Sequence, residues 1–252
     1  MSKAVLTLLS ILLFSSSASA QVAGPLEYGV PAPMDLTARL NILTARIADP
    51  GIGQGRVMVI GDSQVENLAY DEACGEPVVM FGVSGMRAHD LIQGPPGYQN
   101  SLISEIVQIA KPSVVVIALG INDLARDGYN QWVQDWFYVP LYFKQLSVPV
   151  VLLNIAPTEA TVSPPLQAWN NPSLLAAFNM YTTQVGIVEN IPLVDLAITL
   201  APTGYLPPGS TWDGLHFKGQ QAKLFWDQIV SAITIGRQKI GEDCHTVTAS
   251  TP

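Results

Sequence analysis

An alternation of short apolar runs with longer amphipathic segments constrains the fold of this 252-residue chain more than any other feature. The runs are rich in Val, Ile or Leu and almost continuously apolar. They cover residues 57–60, 78–81, 114–119, 150–154 and 193–195. Runs of this length and composition predict strands that are buried on both faces of a parallel sheet.

The segments between these runs have the periodicity of helices. They cover residues 34–48, 101–110, 129–145, 173–189 and 219–235. Strands that alternate with helices predict right-handed βαβ units, and therefore a three-layer α/β/α sandwich around a central, mostly parallel five-stranded sheet. Segments 158–172 and 202–212 are rich in Pro, Gly and Thr and predict surface loops beside a cleft.

The first 20 residues have the pattern of a secretory signal peptide. Lys3 precedes an apolar stretch at 4–14, and small residues follow as far as Ala20. The stretch is shorter than the roughly 20 residues that a membrane-spanning helix needs, which disfavours the alternative of a retained anchor. We expect export to a periplasm or the medium after cleavage near Ala20, leaving one domain at 21–252 with an irregular lead-in and a C-terminal tail.

The charge balance excludes one class of partner. The formal net charge is -8 and the pI is near 4.7, whereas binding to nucleic acid depends on clustered Lys and Arg. Hydrophobic residues make up 48% and charged residues 13%, a composition typical of a folded core. No second long apolar segment follows the first, so no membrane span is expected, and the oligomeric state is left open.

The chain has two cysteines, Cys74 and Cys244. An exported protein meets an oxidising environment, which favours a disulfide that ties the C-terminal tail to the domain, with two unpaired thiols as the alternative. Neither cysteine has a neighbour at the spacing of zinc ligands, and His245 is a lone candidate. No metal or cofactor is expected.

Residues suited to chemistry follow three of the predicted strands. Gly61-Asp62-Ser63-Gln64 places a hydroxyl at a strand exit, although Asp and Ser are also common helix caps. Gly82-Val83-Ser84-Gly85 would let a backbone N–H approach a ligand, or would form a tight turn. Gly120-Ile121-Asn122-Asp123 brings a side-chain amide to the same edge, unless it is a second capping pair.

A fourth group lies late in the chain, before the last predicted helix. In Trp212-Asp213-Gly214-Leu215-His216 the Asp stands three positions before the His. This spacing lets a carboxylate accept the imidazole Nδ1–H while Nε2 faces a serine, although a surface pair is an alternative. All four groups occur in order at or after predicted strand exits, and this coincidence indicates an active site.

The four groups resemble the sequence blocks of the SGNH (GDSL-type) hydrolases, which are named for Ser, Gly, Asn and His. The resemblance implies a flavodoxin-like fold, with Ser63 as nucleophile, His216 as its base and Asp213 orienting the imidazole. It also implies an oxyanion hole made by the backbone N–H groups of Ser63 and Gly85 and the side-chain amide of Asn122. Two departures are Gln64, where many members have Leu, and the lack of an Asn before the glycines of block two.

The activity implied by the resemblance is that of a serine esterase working through an acyl-enzyme. A small acyl ester, acetyl or short-chain, is the expected substrate, with a carbohydrate or cell-envelope glycan as one candidate alcohol. An acyltransferase, a long-chain lipase and a non-catalytic binding protein are the alternatives. Trp132, Trp136 and Trp169 are candidate surfaces for stacking of a sugar, the alternative being core positions.

Side chains near the blocks are given lesser roles. Asp62 and Asp123 are predicted to bond loop backbone, and His89 is predicted to lie at the surface. Gln64, Trp212 and the two Pro-rich loops are candidate determinants of specificity.

Overall fold

A computed structural model describes residues 36–49, 51–93 and 101–244 of the chain. The predicted signal peptide, the whole of the predicted N-terminal lead-in and His245 lie outside these residues. The strands are β1 (Val57–Gly61), β2 (Glu72–Ala73), β3 (Glu76–Pro77), β4 (Val79–Gly82), β5 (Val114–Ala118), β6 (Val150–Leu153) and β7 (Leu193–Val194). Five of them form a parallel sheet in the order β4-β1-β5-β6-β7, while β2 and β3 form an antiparallel hairpin.

The five predicted strands are confirmed, and so are the five predicted helices where the structure describes them. The helices are α1 (Leu36–Ala48), α2 (Ser63–Glu66), α3 (Ala88–Gln93), α4 (Leu102–Ala110), α5 (Ile121–Arg126), α6 (Gly128–Gln145), α7 (Pro172–Glu189), α8 (Leu196–Leu200) and α9 (Gly219–Gln238). A 3₁₀ helix, Pro164–Trp169, lies in the first predicted loop. A helix beginning at Ser63 was expected and is present as α2, whereas the short helices α3, α5 and α8 were not predicted, because a few residues carry no readable helical period.

Alternate residues of the strands face two separate apolar clusters. On β1, Met58 and Ile60 belong to the cluster covered by α1, α3, α4, α6 and α7. Val57 and Val59 belong to the other cluster, which is covered by α2, α8 and α9. Because side chains alternate along a strand, helices on both faces follow from this pattern, and the predicted three-layer sandwich is confirmed.

Two of the three candidate tryptophans lie in the core. Trp132 and Trp136 are both 0% exposed, and their rings stack with centroids 5.6 Å apart. Trp132 also stacks on Phe178 of α7 at 4.1 Å. The hypothesis that these two rings bind sugar is therefore wrong, because α6 turns its aromatic face toward the sheet and α7.

The two cysteines are joined in a disulfide. Cys74 lies in the turn of the β2–β3 hairpin, and Cys244 follows α9 with a Cα–Cα distance of 4.8 Å. The predicted link between the C-terminal tail and the rest of the protein is thus present in the structure. Within the part of the chain that the structure describes, every helix is too short or too polar to cross a bilayer.

Candidate active site

Ser63 lies at the carboxyl edge of the sheet, two residues after the end of β1. It is the first residue of α2 and is 6% exposed. The cap of this helix is the preceding residue, since Asp62 Oδ1 accepts the backbone N–H of Gln64 at 2.9 Å. The capping role proposed as an alternative for the pair therefore belongs to Asp62, and the Ser63 hydroxyl has another partner.

A tight loop brings Asp213 and His216 together. Asp213 Oδ1 accepts the backbone N–H groups of Leu215 and His216 at 3.0 and 2.9 Å, and Oδ2 lies 2.7 Å from His216 Nδ1. Gly214 has a φ of +97°, and a Cβ there would lie 2.5 Å from Val162 Cα. The loop therefore requires glycine at this position, and its turn returns the imidazole to the carboxylate.

The hydroxyl of Ser63 lies 3.0 Å from His216 Nε2. Because the carboxylate of Asp213 only accepts, we assign the imidazole proton to Nδ1, which makes Nε2 the acceptor for the Ser63 hydroxyl. Burial by itself would raise the pKa of Asp213, but the hydrogen bonds and charge of His216, with the N–H of Leu215, hold it below its usual value. An ionised carboxylate at this place stabilises an imidazolium.

Glu159 anchors this loop from a neighbouring segment. Its Oε1 accepts the backbone N–H and the hydroxyl of Thr211 at 2.8 and 2.6 Å, and its Oε2 accepts the N–H of Gly209 at 3.0 Å. Thr211 Oγ1 in turn accepts the N–H of Gly214 at 2.8 Å. Burial raises the pKa of Glu159, but these bonds and the charge of Lys218 outweigh it and lower the pKa overall.

A second carboxylate holds the glycine block, residues 82–85, against α2. Glu66, the last residue of α2, accepts the backbone N–H of Ser84 at 2.6 Å and also the Ser84 hydroxyl. Gly85, which directly follows Ser84, has a φ of +80°, a conformation that favours glycine. Glu66 and Glu159 were not predicted as site residues, since single acidic residues carry no signal until the fold brings their partners close.

Asn122 joins the glycine block to a third segment. It lies in the first turn of α5, directly after β5, and is 4% exposed. Its Nδ2 donates to the carbonyl of Met86 at 3.2 Å, and its Oδ1 accepts the indole N–H of Trp169 at 3.2 Å. The structure therefore places Asn122 against the loop of Gly85, and brings in Trp169 from the 3₁₀ helix.

Two buried carboxyl groups support the site without joining the Ser63–His216–Asp213 chain. Burial raises the pKa of Asp62 to about 7, despite the opposing effects of the Gln64 N–H and of His216. Burial also raises the pKa of Asp123 well above its ordinary value, although its Oδ1 accepts the N–H of Ala88 at 2.9 Å. Both side chains bond backbone, as predicted.

The remaining candidates lie outside this arrangement. His89 Nδ1 lies 3.1 Å from Asp135 Oδ2, and the side chain is partly exposed. Gln64 is buried and its Nε2 donates to the Leu215 carbonyl at 3.4 Å, which links α2 to the loop of His216. Trp212 is 59% exposed, with Lys218 Nζ 5.3 Å from its ring centroid. In the described ranges, no group of three or more His, Cys, Asp or Glu could hold a metal ion.

These features define an α/β protein with a Ser–His–Asp chain at the carboxyl edge of a parallel sheet. No family profile and no curated protein matches the sequence. Solved structures do: a GDSL-like lipase from Bacteroides thetaiotaomicron is 20% identical with a TM-score of 0.61, covering 81% of this chain and 97% of that one.

Two further structures are similar over most of their length. A lipase/acylhydrolase from Enterococcus faecalis is 21% identical with a TM-score of 0.53, covering 71% of this chain and 95% of that one. A catalytic mutant of an acetylxylan esterase from Geobacillus stearothermophilus is 19% identical with a TM-score of 0.54, covering 73% and 96%. The fold is that of the SGNH (GDSL-type) hydrolases.

Proposed function

We propose that the protein is a serine esterase that hydrolyses carboxylic esters of small acyl groups. The observation that carries the proposal is the unbroken chain from Ser63 Oγ to His216 Nε2 at 3.0 Å, and from His216 Nδ1 to Asp213 Oδ2 at 2.7 Å. A nucleophile in contact with a base, which a third group orients, is the arrangement of nucleophilic catalysis. The similarity in fold to lipases, acylhydrolases and an acetylxylan esterase supports it.

In the proposed reaction, Ser63 Oγ attacks the ester carbonyl carbon and its proton passes to His216 Nε2. Asp213 stabilises the imidazolium, and the oxyanion accepts hydrogen bonds from the N–H groups of Ser63 and Gly85 and from the amide of Asn122. The alcohol leaves with the proton from His216, and acyl-Ser63 remains. Water then attacks the acyl group with His216 as base, which releases the carboxylic acid and restores Ser63.

A short acyl group is the one we favour, because an acetylxylan esterase is among the proteins that share this fold. A carbohydrate alcohol is the partner we favour, because the exposed ring of Trp212 adjoins the Asp213–His216 loop and aromatic rings present apolar faces to ligands.

We further propose that the chain is exported after cleavage near Ala20. The pattern of residues 1–20 supports this, and so does the disulfide between Cys74 and Cys244, because disulfides persist in oxidising compartments. Expression in a bacterial host with sequencing of the N-terminus of the exported product would test the cleavage point. Product that stays in the cytoplasm with residue 1 intact would contradict it.

The experiment that tests the function measures ester hydrolysis from acetate to palmitate for the wild type and Ser63→Ala. We expect the highest kcat/KM at the short end, and we expect loss of Ser63 to lower kcat by a factor on the order of 10⁶. Ser231→Ala is the matched control, because that residue is on the exposed face of α9 and its hydroxyl donates to the Asp227 carbonyl.

Three outcomes would replace the proposal. Folded wild-type protein that hydrolyses no ester, and that an organophosphonate does not label at Ser63, would indicate a binding protein. A maximum at palmitate would indicate a long-chain lipase. Transfer of the acyl group to an added sugar in preference to water would indicate an acyltransferase that uses the same acyl-enzyme.

A further inference from the structure

The buried amide of Asn122 lies between two partners with opposite chemistry. The indole N–H of Trp169 can only donate, and it faces Oδ1 at 3.2 Å. The carbonyl of Met86 can only accept, and it faces Nδ2 at 3.2 Å. A rotation of the amide by 180° would set oxygen against the carbonyl and nitrogen against the indole N–H, so both partners favour the same orientation.

We propose that Trp169 is a positioning residue for ester hydrolysis, because it holds the Asn122 amide with nitrogen, not oxygen, available to the oxyanion. The inference rests on the proposed function, in which Asn122 is an oxyanion donor. Nδ2 carries two hydrogens, and the bond to Met86 uses one of them. The other remains for the oxyanion only while the amide keeps this orientation.

The orientation matters most in the transition state. A donor that faces the oxyanion stabilises developing negative charge, and loss of one such donor costs about 10²–10³ in kcat. A flipped amide would instead present a partial negative charge to that oxygen. Because Asn122 is 4% exposed, water cannot readily replace the Trp169 N–H at Oδ1. Without that N–H, Met86 alone would favour the productive orientation.

Trp169 belongs to none of the four sequence blocks. It is the last residue of the 3₁₀ helix Pro164–Trp169. Its half-buried ring packs against the apolar cluster on the α6 and α7 face of the sheet, and this packing holds the indole N–H in place. Trp169 therefore differs from Trp132 and Trp136. It is partly buried and its N–H bonds a site residue, whereas the other two are fully buried in the core.

The test is a double-mutant cycle on the hydrolysis of a short-chain ester. We expect Trp169→Phe, which keeps an aromatic ring and removes the N–H, to lower kcat by about 10-fold with KM nearly unchanged. In the Asn122→Ala background the same substitution should have no further effect on kcat. Trp136→Phe is the matched control, because its buried Nε1 has no hydrogen-bond partner among the described residues.

A second readout is independent of turnover. The ¹H–¹⁵N resonance of the Trp169 indole should shift in Asn122→Ala and not in a control, Asp227→Asn, whose carboxylate lies on the outer face of α9. If the resonance does not move, or if Trp169→Phe keeps its kcat or loses the same factor in both backgrounds, the inference is wrong. A wild type that hydrolyses no ester contradicts the proposed function itself, and the positioning role falls with it.

Discussion

The two halves of the candidate site are built in different ways. The acid–base half, Asp213 and His216, lies within four consecutive residues, and its carboxylate bonds two backbone N–H groups of the same loop. The oxyanion half, Gly85, Asn122 and Trp169, comes from three segments that meet only in the folded protein. The first arrangement depends on local turn geometry, and the second depends on the packing of the loop between β4 and α3 with α5 and the 3₁₀ helix.

Substitutions in the two halves should affect catalysis in different ways. A substitution within the acid–base loop changes the protonation or orientation of one imidazole. A substitution in the oxyanion half changes the position of a donor that other segments hold. We therefore expect the largest losses of activity in the first half, and smaller losses confined to kcat in the second.

Asp213→Asn should have the largest effect among the predictions that follow. The amide keeps an oxygen for the N–H groups of Leu215 and His216 but can donate toward Nδ1, which favours the wrong imidazole tautomer. We expect kcat to fall by about 10⁴ at neutral pH with the loop intact. Steady-state kinetics beside Asp227→Asn, an exposed carboxylate on α9, would measure it. A loss below about 10-fold would contradict the assigned role of Asp213.

Asn122→Ala should have the second largest effect and tests the oxyanion half directly. We expect kcat to fall by about 10²–10³ with KM little changed, because the lost hydrogen bond forms in the transition state. Asn179→Ala is a suitable control, since its amide bonds the backbone of Ile155. A rise in KM by the factor expected for kcat, with kcat itself unchanged, would show that Asn122 binds substrate instead of stabilising the oxyanion.

This contrast also decides what the sequence could reveal. The sheet followed from apolar runs that sort by alternation onto two faces, and Asp213 with His216 followed from a three-residue spacing. The role of Trp169 could not be predicted, because a tryptophan in a Pro-rich segment has no period and its acceptor is 47 positions away. Glu66 and Glu159 were missed because their partners become neighbours only when loops pack together.

The tryptophans of α6 show the opposite error. Trp132 and Trp136, in a predicted helix that could border the cleft, were candidates for a stacking surface, but both are 0% exposed and occupy the core positions that were the alternative. Composition cannot say which face of a helix meets the sheet when both faces carry aromatic rings, as Tyr138, 59% exposed, shows. The burial of the two rings is decided by the stack with Phe178, a contact between separate helices.

Asp62→Asn concerns a buried carboxyl group beside the acid–base half, since the charge of His216 lowers the pKa of Asp62. The folded pKa of about 7 exceeds the ordinary 3.8, so between these values the folded protein binds more protons than the unfolded chain. The free energy of unfolding therefore falls as pH rises through this window. Asn keeps the capping oxygen and removes this titration.

We expect Asp62→Asn to gain about 4 kcal/mol in unfolding free energy relative to the wild type between pH 4 and pH 8, because a pKa raised from 3.8 to about 7 corresponds to about 1.4 kcal/mol per pKa unit. Denaturant unfolding at a series of pH values, with the disulfide intact, would measure the difference. The raised pKa of Asp123 acts in both proteins and largely cancels. A difference that stays constant across the pH range would contradict the assignment of a buried, neutral Asp62.

Glu159→Gln should have the smallest effect and tests how separate the two halves are. Glu159 anchors the acid–base loop through Thr211 and Gly209, while the same segment continues to Trp169 in the oxyanion half. Gln keeps one acceptor oxygen and leaves a backbone N–H facing an amide that cannot accept it. We expect kcat to fall by about 10-fold, the equivalent of about 1.4 kcal/mol.

The informative comparison is the double variant Glu159→Gln with Trp169→Phe. If the two halves are independent, the fold losses in kcat of the two single variants should multiply in the double variant, as they do for substitutions without shared partners. Ser163, between the two positions, donates its backbone N–H to the Asp213 carbonyl at 2.8 Å, so the segment touches the acid–base loop along its length. A loss in the double variant that is smaller than the product of the two single losses would mean that a shift of this one segment displaces both halves together. The two halves would then not be separate, and the contrast between a locally formed half and an assembled half would be wrong.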